Sequence, residues 1–429
     1  MFWNWLLYKK IHLLRWRSLI KRIARKKEKL CLNCGFCGTY LHCLDAEEGC
    51  TGCGACLAAC PNRAIYMERN PETVYKTVLI DGRQYQFTDQ LTVLQALSKA
   101  GYNVSHFPEE GRIYAPCRTG GCWSCTVLID GTLKPSCVTT LKDGMEIITD
   151  RKAIEAMPPL RQIAAVKAHP VGGVGTPHTL RKKYQLTSGR PYYTEVGAFT
   201  QGCVLRCPTC QNWPYTYSSR GTPLTPGQAA GIIDSKARDY NLKRIAFTGG
   251  ESTINRRWLV EVLKKLKALN PDGINLHVDT NGALLTPDYI EQLIAAGMTD
   301  IGVDLKSSRL ETYQKVTGIK HPAFSRRFFE QSWAGVEYLL KNCAGRIFVG
   351  LGIVYNRSLV PLEEVKEIAG RIIELNPSVQ VCLLDYRPEF RQRDIFQPSA
   401  GEMFDVWKTL KKMGLECVLC QTTAGYYGP

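Results

Sequence analysis

Cys203-Val-Leu-Arg-Cys207-Pro-Thr-Cys210 is the stretch on which the fold turns. Its C-x3-C-x2-C spacing offers three thiolates, whereas a cubane [4Fe–4S] cluster ordinarily takes four cysteines. One iron is then left for a substrate or cofactor. The competing reading is a structural zinc site that lacks its fourth ligand. Downstream, Lys243-Arg-Ile-Ala-Phe-Thr248 reads as a short buried strand that runs into Gly249-Gly250-Glu251. Two more strand ends carry acids: Ile274-Asn-Leu-His-Val-Asp279-Thr280-Asn281-Gly282 and Asp300-Ile-Gly-Val-Asp304-Leu-Lys306. Glycines let a backbone approach a ligand, and a carboxylate suits an ammonium.

From residue 191 onward strand-like and helical patterns alternate. Candidate strands are 195–199, 244–248, 274–279, 300–305, 347–354 and 379–384, with helical patterns at 226–240, 256–269, 287–296, 328–341 and 362–375. Six βα units predict an α/β fold, a partial (β/α)6 barrel with its functional groups at the strand C-termini. The cysteines, Glu251, Asp279 and Asp304 all follow strands.

These segments resemble the radical S-adenosylmethionine (SAM) superfamily, and within it the glycyl-radical-enzyme activase branch, over roughly residues 195–420. The resemblance implies that Cys203, Cys207 and Cys210 hold a [4Fe–4S] cluster whose open iron is chelated by the SAM amino and carboxylate groups. One electron then cleaves SAM to methionine and a 5′-deoxyadenosyl radical, which abstracts hydrogen from a substrate. Gly249, Gly250 and Glu251 would bind the methionine amino group. Asp279, with Thr280 of the same segment, and Asp304 would lie beside the SAM carboxylate, with a monovalent cation between. The plainer alternative is that Asp279 caps a turn and Asp304 is solvated. One position departs from the family: many members carry an aromatic residue where Thr209 stands. Trp213 or Tyr215 is then the candidate for the adenine contact.

Nineteen cysteines fall mostly into four groups. Residues 31–60 hold Cys31-x2-Cys34-x2-Cys37-x5-Cys43 and then Cys50-x2-Cys53-x2-Cys56-x3-Cys60-Pro61, the second run close to the bacterial ferredoxin pattern. Gly49, Gly52 and Gly54 permit the wrap and Pro61 ends it. By resemblance to two-cluster ferredoxins, Cys31, Cys34, Cys37 and Cys60 serve one cubane, and Cys43, Cys50, Cys53 and Cys56 the other. The first run departs from pattern before Cys43, and a zinc module is the alternative. Further on, Cys117-x4-Cys122-x2-Cys125 and Cys137 have plant-type [2Fe–2S] spacing. They sit in a β-grasp pattern: a hairpin at Asp81-Gly82, a helix over 92–100 and a hairpin at Asp130-Gly131. The expected order is a basic segment at 1–30, a 2[4Fe–4S] ferredoxin-like module at 31–70, a [2Fe–2S] domain at 71–150, a linker at 151–190 and the radical SAM domain at 191–429. The segment at 151–190 has Pro158-Pro159 and Val171-Gly-Gly-Val-Gly-Thr-Pro177 without apolar periodicity, which argues for a linker or covering loop. A phosphate-binding role for Gly172, Gly173 and Gly175 has no strand-to-helix frame to support it.

At 429 residues, 45% hydrophobic and 22% charged, the chain reads as a soluble globular protein of two or three domains. C-x2-C spacings beside an α/β enzyme point to metal ligation in a reducing cytoplasm, and oxygen-labile clusters to an anaerobic setting. Of the formal charge of +16, residues 1–30 supply ten Lys or Arg against one acid. This segment, aromatic at its start, was expected as a basic helix with three readings: peripheral contact with a membrane surface, docking on a partner, or packing on its own protein. No apolar run approaches a bilayer span, and basic residues interrupt any signal-peptide core. No nucleic-acid module accompanies the charge.

Cys343, Cys382, Cys417 and Cys420 remain. Cys382 reads as a buried strand thiol, and Cys417-Val-Leu-Cys420 as a bare C-x2-C without confirmed partners. Asp385-Tyr-Arg387-Pro-Glu-Phe-Arg391 follows the sixth strand, where its arginines are candidates to clamp an anionic group.

Three functions fit. The first is a radical SAM oxidoreductase or modifying enzyme acting on a small molecule, lipid or protein. It would draw electrons from a low-potential donor through residues 31–150. The second is an activase that installs a glycyl radical on a partner enzyme, from which the [2Fe–2S] domain departs. The third is a non-catalytic electron-transfer subunit with a degenerate barrel.

Overall fold

The structure, a computed structural model, describes residues 21–45, 50–70, 75–87, 91–108, 110–171, 173–180 and 193–429. Residues 1–20, Gly49 and Gly172 lie outside them.

Nine strands make one sheet in sequential order: β1 (Ile163–Pro170), β2 (Thr194–Thr200), β3 (Arg244–Gly249), β4 (Asn275–Thr280), β5 (Asp300–Leu305), β6 (Phe348–Tyr355), β7 (Gln380–Asp385), β8 (Cys417–Thr422) and β9 (Gly425–Tyr427). β2 to β8 run parallel, while β1 and β9 pair antiparallel at the two edges. Among the described residues no ladder joins β1 to β9. The parallel run therefore has seven strands where six were expected. The seventh is β8, whose Cys417-Val-Leu-Cys420 is plain strand alternation. Cys420 is fully buried in the core that faces the helices, and Cys417 lies 3.5 Å from the His178 ring. Three residues apart on a strand, the two thiols point to opposite faces. They form no joint site.

Alternation also separates wall from lumen. Val196 and Ala198, Ile245 and Phe247, Leu276 and Val278, Ile301 and Val303, Leu351 and Ile353 join the helices in one core. The intervening positions, including His277, Asp279, Gly302, Asp304, Gly350 and Gly352, face the other way. Covering helices form at the expected places. Arg256–Leu269 buries Trp258, Leu259, Val262, Leu263 and Leu266 at helical spacing, and the Asn255 side chain caps it by accepting from Trp258 N.

The segment expected as a linker is built into the barrel. It contributes β1 and then threads residues 173–178 across the lumen floor. Gln380 Nε2 donates to the Gly173 carbonyl at 2.5 Å and to that of Thr176 at 2.8 Å. Arg244, paired with Glu195, donates to the Gly175 carbonyl at 2.8 Å. The glycines are there because nothing larger fits. A Cβ on Gly175 would lie 1.9 Å from His277 Cε1, and one on Gly350 would lie 1.6 Å from the Val174 carbonyl oxygen. Gly350→Ala should therefore lower the thermal unfolding midpoint, since overpacking a filled interior costs roughly 1–3 kcal/mol. Gly370→Ala, on a helix with no atom near the added methyl, should leave the midpoint unchanged or raise it. Equal midpoints for the two variants would refute the threading.

Ahead of the barrel, a five-stranded sheet in the order Arg83–Phe87, Lys76–Ile80, Glu146–Ile148, Thr126–Ile129, Thr132–Pro135 carries the helix Val93–Lys99. Thr92 and Gln95 close a capping box at its start. This is the expected β-grasp. The ferredoxin-like module pairs Lys21–Lys26 with Ile65–Asn70 as antiparallel strands around two short helices. A basic helix was expected over residues 1–30, but 21–26 are strand. Arg25 pairs with Glu68 across it at 2.8 Å, so part of the basic charge is answered within the module. No described helix is long and apolar enough to cross a membrane.

Candidate functional site

After β2 the chain turns at Gly202, with φ 81°, into the cysteine loop. Leu205 N donates to Cys203 Sγ at 3.3 Å, Asn281 Nδ2 lies 3.7 Å from the same sulfur, and Thr216 Oγ1 lies 3.8 Å from Cys210 Sγ. Burial pushes the Cys203 thiol well up and that of Cys210 up to about 12. Thiolates here are stable only beside positive charge, which a metal cluster supplies. Burial raises Cys207 as well, and the charge of Lys306 offsets part of the rise at both Cys207 and Cys210. The donor set thus fits an iron–sulfur cluster.

Glu251 is 1% exposed, and its carboxylate is the hub of the loops. Oε1 accepts from Thr253 N at 3.1 Å, Thr253 Oγ1 at 2.6 Å and Thr280 Oγ1 at 2.7 Å. Among the described residues Oε2 accepts from Asn281 N alone, at 3.0 Å, which leaves it further acceptor capacity. Gly249 and Gly250 act on the protein itself. A Cβ on Gly249, at φ 100°, would meet Thr200 N at 2.8 Å, and one on Gly250 the Gly202 carbonyl oxygen at 2.2 Å. The two loops touch backbone to backbone. Arg161, fully buried, supports them from below by donating to the carbonyls of Ser252 at 2.5 Å, Glu251 at 2.6 Å and Gln201 at 3.4 Å. Sequence reading missed it because it lies in the supposed linker.

Asp279 and Asp304 end neighbouring strands, and each already has a partner. His277 Nε2 lies 2.7 Å from Asp279 Oδ1, and Lys306 Nζ lies 3.5 Å from Asp304 Oδ2. Burial opposes the Asp279 charge, but His277 and Arg244 outweigh it and hold the carboxyl below its usual range. Burial likewise opposes the Lys306 charge, and Asp304 outweighs it, so its pKa rises. Their side chains keep 40% and 42% of their surface, so both border open space. Among the described residues no three His, Cys, Asp or Glu side chains are gathered for a single metal ion. Tyr386, just past β7, lies near Cys207 and Lys306, and burial raises its phenol. It too went unread in the sequence.

Neither aromatic candidate for adenine is free for that role. Trp213 packs 4.8 Å from Phe36 of the ferredoxin-like module and stacks on Phe390 at 5.4 Å. Tyr215 packs on Phe199 at 4.4 Å and accepts from Lys167 Nζ at 2.8 Å. The arginines after β7 divide. Arg387 is gripped by the buried Asp385, at 3.1 and 3.2 Å, at the barrel rim. Arg391 instead donates to the carbonyls of Leu57, Ala58 and Cys60, anchoring the ferredoxin-like module.

Within that module burial raises the thiols of Cys37, Cys43 and Cys56, and neighbouring thiols add to it: Cys34 and Cys60 at Cys37; Cys53, Cys50 and Cys37 at Cys43; and Cys53, Cys50 and Cys43 at Cys56. Cys31 donates to Asn33 Oδ1 at 3.5 Å. In the [2Fe–2S] domain Cys117 is in hydrogen-bond reach of Cys122 and Cys137, and Cys125 of Cys137, all four buried.

Both modules touch the loop of Cys203, Cys207 and Cys210. A Cβ on Gly202 would meet Cys122 Cβ at 2.8 Å and Cys117 Cβ at 3.2 Å. The Arg206 guanidinium donates to the carbonyls of Cys203, at 2.7 Å, and of Cys117. On the other side Cys37, Cys43 and Cys56 share an apolar cluster with Cys210, Trp213, Tyr217 and Phe390. The Ser219 hydroxyl lies 2.9 Å from His42 Nδ1, whose Nε2 is 3.7 Å from Cys53 Sγ.

Residues 198–357 match the radical SAM superfamily, 76–152 the 2Fe-2S iron-sulfur cluster binding domain, and 46–66 the 4Fe-4S binding domain. A probable GTP 3′,8-cyclase of Thermococcus kodakarensis is 30% identical over 131 residues, 30% of this chain and 40% of that protein. An AdoMet-dependent heme synthase of Methanosarcina barkeri is 30% identical over 142 residues, 33% of this chain and 37% of that protein. The chain thus spans less than half the length of these relatives. The solved structure of Streptococcus suis SuiB bound to S-adenosylmethionine aligns at 15% identity with a TM-score of 0.39, over 51% of this chain and 48% of that one.

Proposed function

We propose that this chain, a radical SAM enzyme with 2Fe–2S and 4Fe–4S domains ahead of its barrel, cleaves SAM reductively and uses the product to abstract hydrogen from a substrate. Its own modules would supply the electron. When bound at Cys203, Cys207 and Cys210, a [4Fe–4S] cluster with SAM on its open iron supplies the one-electron reduction and the radical. The chain's residues do the rest. Glu251 presents the further acceptor capacity of Oε2 to an ammonium, and Thr253, Thr280 and Asn281 fix its direction. Lys306, held by Asp304 beside Cys207, offers positive charge to a carboxylate at the same place. The threaded floor closes the lumen from below, which keeps water from a reactive intermediate. Arg387 at the rim, locked by Asp385, suits a substrate with an anionic group.

The observation that carries the reading is the link from Glu251 through Asn281 to Cys203: one loop joins the carboxylate to the sulfur. Anaerobic reconstitution with iron and sulfide, then dithionite and SAM, should yield 5′-deoxyadenosine by mass spectrometry. Cys207→Ala should yield none, while keeping the visible absorption of the other clusters. Product that persists in Cys207→Ala would overturn the assignment.

A further inference from the structure

A cleft of about 530 Å³ opens between the [2Fe–2S] domain and the barrel helices Arg256–Leu269 and Pro287–Ala296. That is within the usual size of small-molecule sites, about 300–1,000 Å³. None of the candidate cluster thiols lines it, nor does Gly249, Gly250, Glu251, Asp279, Thr280 or Asp304. It is a second site, which meets the first only at Thr253, whose N–H and hydroxyl bond Glu251.

The walls have a definite chemistry. Six cationic side chains line the cleft, Arg112, Arg151, Arg256, Arg257, Lys264 and Arg327, against two acids, Glu155 and Glu261. Two of the arginines lie over rings: Arg256 over Tyr289 at 4.7 Å and Arg327 over Phe107 at 3.6 Å. Asp288, 2.5 Å from Arg256, and Glu110, paired with Arg327, steady them from outside the lining. Arg257 and Arg151 are paired with the two lining acids at 3.2 and 2.7 Å, and Arg112 bonds Thr149 at 3.0 Å and pairs with Asp81 at 3.8 Å. Lys264 stands exposed at the edge. Guanidinium groups held in this way match phosphate oxygens and lose little freedom on binding them. Four aromatic residues share the lining: Phe107 and Tyr289 are buried beneath the two arginines, while half-buried Tyr114 and Trp123 are the rings on which a planar ligand could pack.

From these pre-ordered guanidiniums, with exposed Lys264 at their edge, beside partly exposed rings, we propose that the cleft binds a phosphorylated planar heterocycle of mononucleotide size. The location adds a consequence. Trp123 and Ser124 line the cleft and sit in sequence between Cys122 and Cys125, and the Ser124 hydroxyl donates to the Ile254 carbonyl across the domain boundary at 3.1 Å. An occupant therefore touches the [2Fe–2S] ligand loop and the barrel at once. A flavin nucleotide would stand there as a redox neighbour of that loop, and a purine nucleotide as a ligand that fastens the two domains together.

Equilibrium dialysis of the anaerobically reconstituted full chain against FMN, GTP and inorganic phosphate tests this. At least one nucleotide should bind saturably, one per chain, and more tightly than inorganic phosphate. Reversing one charge on each wall, in Lys264→Glu/Arg151→Glu, should weaken that binding about tenfold or more. Both side chains are exposed, so the fold and the cluster absorption should be kept. Cys207→Ala should bind the nucleotide as the unaltered chain does. FMN as the ligand would identify a redox site, and GTP a non-redox one. The proposal fails if neither nucleotide binds, if phosphate alone binds as well as either, or if the double variant binds with unchanged affinity.

Discussion

Glu251→Gln should lower SAM affinity and 5′-deoxyadenosine yield by roughly two to three orders of magnitude while leaving all clusters assembled. The reason lies in the four donors that converge on the carboxylate. Two are hydroxyls, which can rotate to accept from an amide. The other two are the backbone N–H groups of Thr253 and Asn281, which cannot. Whichever way the glutamine amide turns, its NH2 faces one of them, and a buried donor loses its acceptor at about 1–3 kcal/mol. The charge offered to a ligand ammonium disappears as well, removing a charge-assisted bond worth roughly 1.5–3 kcal/mol. The two losses act on one loop, and that loop also places Asn281 against Cys203 Sγ. The measurement is SAM binding by equilibrium dialysis, with iron content and visible absorption as controls. Affinity within a few-fold of the unaltered protein would mean that Glu251 only organises the loop.

Most of the barrel is legible in the sequence because its periodicities are strong. The six expected strands and the helices over 226–240, 256–269, 287–296 and 362–375 form within a residue or two of their expected bounds. The β-grasp domain is equally plain, since Asp81-Gly82 and Asp130-Gly131 are turn signals that nothing overrides. Two misreadings share a cause: composition stands for local preference, and tertiary contact decided otherwise. Val171–Pro177 has the glycines of a linker, but they are the condition for threading a lumen beside Gly302 and Gly350. Lys21–Lys26 has the charge of a solvated helix, but its backbone pairs with Ile65–Asn70.

The site divides in the same way. The chemistry-bearing side chains announce themselves by type and spacing: three thiols, a Gly-Gly-Glu turn and two aspartates at strand ends. What holds them does not. Arg161 acts through backbone carbonyls far away in sequence, and any buried cation would look alike on paper. The glycines of Gly249-Gly250 looked like room for a ligand, whereas their contacts are Thr200 and Gly202. Arg391 looked like a substrate clamp until its fork met three carbonyls of another module.

The contacts of the two iron–sulfur modules lead to the second large effect. A single wire, running from one auxiliary cluster to the next and then to the barrel, would fail completely when either module lost its cluster. The structure instead brings each module to a different end of the loop of Cys203, Cys207 and Cys210. The [2Fe–2S] loop lies against Gly202 and, through Arg206, against Cys203, while Cys37, Cys43 and Cys56 pack with Cys210. His42 and Ser219 add a link near Cys53. Such a triangle has two ports. The single-module variants Cys125→Ser and Cys34→Ser/Cys50→Ser (one ligand from each cubane of the ferredoxin-like module), and the double variant that combines them, remove ligands away from these contact points, so the packing of Cys122 on Gly202 and of Cys37, Cys43 and Cys56 near Cys210 survives. With reduced flavodoxin as donor, each single-module variant should keep 5′-deoxyadenosine formation of the same order as the unaltered protein. The double variant should lose roughly a hundredfold or more, since only slow direct reduction of the buried loop remains. Dithionite, small enough to reach that loop unaided, should support all four proteins alike. A single-module variant that already abolishes the flavodoxin-driven reaction would establish a series wire. A double variant that keeps it would show that electrons reach that loop without either module.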